Sequence, residues 1–115
     1  MDVEKLQRAL DDFAEARNWS QFHNPKNLVM ALSVECAELV EEFQWLTPEQ
    51  AENVMAEAGQ AMRVREEMAD ITLYLLRLAD RLGVDLEAAC HDKMAGNAAR
   101  YPVDAFYGSA RKYNR

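Results

Sequence analysis

Apolar positions recur along this chain with helical spacing almost from end to end, and no stretch alternates in the way a half-buried strand would. Leu6, Leu10, Phe13 and Ala14 share one face of a helix predicted over 3–17. Positions 18–27 read as a loop, unusual for holding Trp19, Phe22 and His23. Asn27 is the expected N-cap of a second helix running to about Leu46, with Leu28, Leu32, Cys36, Leu39, Phe43 and Leu46 among its apolar positions. Thr47-Pro48-Glu49-Gln50 has the form of a capping box with proline in the first turn. It opens a weakly periodic segment to Gly59, either a short helix or a loop ordered on assembly. A third long helix is predicted over 60–82 and stops at Gly83; Asp85 then caps a fourth over 86–100, ended by Tyr101-Pro102. The tail, 103–115, ends in the basic-aromatic Arg111-Lys112-Tyr113.

This pattern predicts an all-α fold, a four-helix bundle formed as a single domain over 1–115. The third long helix carries Met68, Ile71, Leu75, Leu78 and Leu82 on one side and Leu73 and Leu76 on another. A helix apolar on two sides needs two partners, so an oligomer is expected. A chain of 115 residues is also short for enclosing a large ligand alone.

The formal net charge of −7 disfavours binding to a nucleic-acid polymer. No apolar run is long enough for a membrane span, and the Met1-Asp2-Val3-Glu4-Lys5 start lacks the basic and apolar regions of a signal peptide. Cys36 and Cys90 form no CxxC, so reduced thiols in a cytoplasmic protein are expected.

Within the acidic total, four carboxylates stand out. Glu35 and Glu38 lie at i and i+3 on the second helix, and Glu67 and Asp70 at i and i+3 on the third long one, so each pair shares a helix face. Both pairs are set among apolar residues. If the helices pack side by side the acids converge, and mutually close anions out of water require a cation. An all-oxygen ligand set suits Mg²⁺, with Mn²⁺ as a substitute. Spacing alone leaves a second reading open, in which the acids are merely a solvated face of a non-catalytic helical interaction module. A di-iron carboxylate site needs Glu-x-x-His, and neither His23 nor His91 follows a glutamate by three residues. His91 reads as structural.

On the fourth helix, Lys93, Asn97, Arg100 and Tyr101 fall on one face at i, i+4, i+7 and i+8. They are suitable phosphate ligands or, equally, an exposed basic stripe near a helix C-terminus. Trp19 and Trp45 could sandwich a base or serve the core, and His23 could hydrogen-bond the base edge or take a solvated or loop-capping role.

Together these elements resemble the all-α nucleoside triphosphate pyrophosphohydrolases of the MazG type. The resemblance rests on Glu35-x-x-Glu38, a spacer of 28 residues, and Glu67-x-x-Asp70, sharpened by Phe22-His23-Asn24-Pro25-Lys26-Asn27-Leu28, Glu42-Phe43-Gln44-Trp45 and Asn97-x-x-Arg100-Tyr101-Pro102. The chain looks most like the compact branch that includes dCTP pyrophosphatases. The resemblance implies that Glu35, Glu38, Glu67 and Asp70 bind Mg²⁺, with Glu35 or Glu38 assisting as base. It implies that Trp19, His23, Trp45 and Tyr74 surround the base or sugar and that Lys93, Asn97, Arg100 and Tyr101 face the polyphosphate. It further implies a homotetramer, a dimer of dimers with shared pockets, and a role in nucleotide-pool house-cleaning. The spacer from Thr47 to Glu66 departs from the family pattern and leaves base preference open. A related phosphoribosyl-ATP pyrophosphohydrolase is the alternative, against which Trp45 and His23 point to a free-nucleotide pocket.

Overall fold

A computed structural model describes residues 1–115. It is helical throughout, with α1 (Val3–Ala16), α2 (Pro25–Phe43), α3 (Pro48–Glu52), α4 (Ala58–Leu82), α5 (Leu86–Arg100) and α6 (Val103–Phe106). The four long helices predicted from the sequence are α1, α2, α4 and α5. Short 3₁₀ turns occupy Ser20–Phe22 and Val54–Ala56. No helix is long and apolar enough to cross a membrane. The chain forms two compact units, Met1–Gly83 and Val84–Arg115.

Local chemistry sets the helix boundaries. Asp2 caps α1 by accepting from the Lys5 N–H, and Asp85 caps α5 by accepting from that of Ala88. The capping box at α3 is complete: Gln50 N–H donates to Thr47 Oγ1, while the Gln50 carboxamide accepts from Thr47 N–H. Gly83 ends α4 with φ of 67°, a left-handed conformation that glycine adopts without Cβ strain. The start of α2 differs from expectation. Asn24, not Asn27, is its cap, accepting from the Asn27 N–H at 2.9 Å, with Pro25 in the first turn. Asn27 lies inside the helix and donates from its side chain to the Phe22 carbonyl at 3.0 Å. At the other end, α2 stops at Phe43 rather than Leu46.

In the first unit α4 is the central element, packed against α2 along most of its length and against α1 near its C-terminal half. Gln7 of α1 ties the two by donating to the Leu76 carbonyl at 3.0 Å. The core is small: Ala14, Leu28, Val54, Val64, Leu76 and Ala79 are its buried apolar residues. Val54, on the turn after α3, pins the connection between α2 and α4. Much of the apolar surface of α2 and α4 stays open, including Val29, Val34, Val40, Met62 and Met68. Of the apolar positions read on two sides of α4, Leu76 is buried, whereas Leu75 and Leu82 are exposed.

The second unit is held by its aromatic residues. Tyr101 meets Phe106 edge-to-face at 4.8 Å and Tyr113 at 5.8 Å, and its hydroxyl accepts from the Tyr113 N–H. Arg111 stacks over Phe106 at 4.4 Å. The tail is therefore folded rather than extended.

Leu28 is 1% exposed and sits where α1, α2 and α4 meet. Leu28→Ala is expected to cost about 2–5 kcal/mol in a urea titration, whereas Thr47→Ala, which loses only the α3 cap, is expected to cost about 1 kcal/mol.

Candidate metal and base site

The close packing of α2 on α4 brings the two acidic pairs together. Glu35, Glu38 and Glu67 each place a carboxylate oxygen within 4.8 Å of the others. Oxygen Oε2 of Glu35 and Oε2 of Glu67 are both sealed from solvent without a hydrogen-bond partner. Ionised carboxylates only accept, so two of them face to face can be satisfied only by a proton or a cation between them.

The titration of these groups records the same conflict. Burial first, then the adjacent carboxyls of Glu67 and Glu38, push the Glu35 carboxyl up to about 7. The charges of Glu38 and Asp70 add to this rise. Burial also raises Glu67, helped by Glu38 and Asp70 and opposed by the neighbouring Glu35 carboxyl. Asp70 thus belongs to the same electrostatic cluster. Glu42, one turn further along α2, does not: Arg63 of α4 binds it at 3.1 Å. The donor set fits a hard divalent cation. It is all oxygen, its charges are uncompensated by any basic side chain, and two buried oxygens lack a partner.

A cavity of about 220 Å³ opens beside the cluster. Leu10, Phe13, Trp19, Leu28 and Leu73 form its apolar wall, and His23, Asp70, Tyr74 and Arg77 supply its polar groups. Asp70 therefore joins the two halves, facing the cavity while acting on the charges of Glu35 and Glu67. Phe13 and Trp19 meet edge-to-face at 5.6 Å, which fixes the indole at the rim. The cavity is smaller than the usual pocket for a drug-sized ligand, so it has room for an aromatic ring rather than a whole nucleotide.

Three groups of site residues were expected from the sequence. Glu35, Glu38 and Glu67 come together, Asp70 acts on their charges from the cavity side, and Trp19, His23 and Tyr74 line one cavity. Trp45 stands apart from this cavity, 86% exposed beyond the end of α2. Lys93, Asn97 and Arg100 lie on the exposed surface of α5 in the second unit, and Tyr101 is engaged with the tail. Arg77 was not among the residues expected from the sequence. It is 3% exposed and donates to Asp11 at 2.8 Å, to His23 Nδ1 at 3.3 Å and to Ser20 Oγ at 3.4 Å. The signal was an arginine inside the apolar run Leu75-Leu76-Arg77-Leu78-Ala79.

Glu35 binds its proton more tightly folded than unfolded, so its contribution to stability is full below the usual carboxylate pKa and is lost as pH rises through about 7. The melting temperature of metal-free protein is expected to fall between about pH 5 and about pH 8, with a shallower fall in Glu35→Gln. Added Mg²⁺ should restore stability at the upper end and do little at the lower, as scanning calorimetry can show.

The chain is 42% identical over 111 residues to dCTP pyrophosphatase 1 of Bos taurus, covering 96% of this chain and 66% of that protein. The Homo sapiens dCTP pyrophosphatase 1 is 40% identical, with 96% and 65% covered. The chain thus spans just under two thirds of the length of these relatives. A pyrophosphatase from Archaeoglobus fulgidus, known from its crystal structure, superposes with a TM-score of 0.82 at 36% identity, over 89% of this chain and 94% of that one. The MazG-like family profile matches residues 30–115, taking in all four acids, part of the first compact unit and all of the second. The chain belongs to the MazG-like family.

Proposed function

We propose that this protein is a Mg²⁺-dependent nucleoside triphosphate pyrophosphohydrolase, with dCTP as its first candidate substrate and nucleotide-pool cleaning as its role. The observation that carries this reading is the carboxylate cluster with two sealed, partnerless oxygens beside an aromatic cavity. The names of the relatives supply the choice of dCTP.

In this reading Glu35, Glu38, Glu67 and Asp70 hold Mg²⁺. When bound, the ion supplies charge neutralisation and Lewis acidity at the phosphates. Trp19 and Phe13 stack against the base, while His23 and Tyr74 hydrogen-bond to the base or sugar. Water attacks one phosphorus of the α–β anhydride, and Glu35 or Glu38 accepts the proton that the water loses. The anhydride breaks to give the monophosphate and pyrophosphate. Lys93, Asn97, Arg100 and Tyr101 are the donor set for the polyphosphate, and the cations among them stabilise the charge gathering on the leaving group.

The same reading makes the active form a homotetramer, a dimer of dimers. Exposed Val29, Val34, Val40, Met62 and Met68 offer apolar surface for a second copy, and the 86% exposed Trp45 is free to complete a neighbour's pocket. An intracellular, reducing compartment suits both the substrate and the two free cysteines.

Pyrophosphate release from a panel of dNTPs, NTPs and modified cytosine nucleotides with Mg²⁺ tests the proposal. Activity on dCTP or a close analogue is expected, and activity on none of them would refute it. Glu38→Gln should lower kcat by about a hundredfold or more while circular dichroism still shows a folded helical protein. A wild-type rate in that variant would remove Glu38 from the site.

A further inference from the structure

Arg77 spends its guanidinium on three separate elements. Nη1 donates to Asp11 of α1 at 2.8 Å, Nη2 to Ser20 of the 3₁₀ turn at 3.4 Å, and Nε to Nδ1 of His23 at 3.3 Å. Asp80, one turn along α4, adds a second carboxylate at 3.9 Å. A cation this deeply buried is stable only with its donors satisfied, so the arrangement is rigid. The third of these bonds has a chemical consequence beyond packing. Arginine only donates, so His23 Nδ1 must accept and cannot carry a proton. The neutral ring is then protonated on Nε2. That nitrogen makes no hydrogen bond within the protein and is not sealed from solvent, and the ring lines the cavity. Burial, together with the positive charges of Arg77 and Arg81, lowers the pKa of His23 and so favours the neutral form.

We propose that Arg77 is a specificity-positioning residue. Through its bond to Nδ1 it fixes His23 as an Nε2–H donor facing the cavity, so the pocket favours a base that offers a lone pair at that edge. This assignment rests on the reading of the cavity as a base pocket. The other polar groups of the cavity are less directional. Tyr74 has a hydroxyl that rotates to donate or accept, and Asp70 belongs to the carboxylate cluster. The N3 atom of cytosine is an acceptor, whereas N3 of uracil carries a proton. A fixed donor therefore suits the first and leaves two hydrogens opposed in the second, a mismatch that costs a buried polar group its partner.

The test begins with the tautomer, which requires no substrate. Protein labelled with ¹⁵N-histidine and carrying His91→Gln has one imidazole to observe. Long-range proton–nitrogen spectra at neutral pH are expected to show His23 with Nδ1 bare and Nε2 protonated. In Arg77→Gln, or in Asp11→Asn if the first variant folds poorly, a mixture of tautomers is expected. A protonated Nδ1 in the otherwise unaltered site overturns the proposal. So does a folded Arg77→Gln with an unchanged single tautomer. The second arm compares dCTP with dUTP. Arg77→Gln should shrink the ratio of their KM values by about tenfold, a larger change than in the ratio of their kcat values. A fall in kcat with the KM ratio intact would assign Arg77 to fold integrity alone and overturn the proposal. Should the wild-type protein hydrolyse neither nucleotide, the active-site reading fails, and the tautomer spectra still decide whether Arg77 sets the state of His23.

Discussion

The α2–α4 seam carries an electrostatic contradiction on which the rest of the molecule depends. Apolar packing draws the two helices together, and that same packing presses Glu35 and Glu67 against each other out of water. Without a cation the seam is relieved by a proton, which is why the Glu35 carboxyl is pushed up to about 7. The remaining elements of the first unit keep this arrangement from relaxing. The connection through α3 is capped at its start and pinned by Val54, and α1 closes over the far side of α4. The fold thus maintains a preformed site with some strain of its own, and a ligand of the right charge stabilises the protein as it binds.

A buried cation, Arg77, lines the same cavity that Asp70 faces. Arg77 gathers Asp11, Ser20 and His23 from α1 and from the turn that follows. The segment 18–24 is consequently ordered, although it lies between helices. Asn18 takes a positive φ of 55° to enter the turn, Ser20 bonds Glu15 at 2.7 Å, and Asn24 starts the next helix. Trp19 and His23 are presented by backbone fixed at both ends. This is the usual requirement for a recognition surface built on a loop.

The parts of the structure that were legible in the sequence are those with local causes. The Thr47 capping box, the Gly83 stop and the Asp85 cap each depend on atoms within a few residues, so pattern alone found them. The i, i+3 acids were legible because helix geometry places them on one face before any tertiary contact forms. The start of α2 was misplaced because Asn24 and Asn27 can both cap a helix, and Pro25 in the first turn was the feature that distinguished them. Arg77 was invisible for a different reason. Its partners lie 54 to 66 positions away, and no local rule says which loop a buried arginine will organise. Phe13 was read only as part of the apolar face of the first helix, and it lines the cavity, since periodicity reports a face and not what covers it.

Asp70 sits where the carboxylate cluster and the aromatic cavity meet, and it serves both. That double duty limits how such a site can diversify. On the proposed reading a substitution there would disturb ion binding and ring recognition together, so no graded path to a new preference runs through it. Changes at Trp19, Phe13 or the Arg77–His23 pair alter only the cavity side and leave the acids in place. The chain therefore separates a part that must stay fixed from a part that can drift, and the boundary between them passes through a single carboxylate.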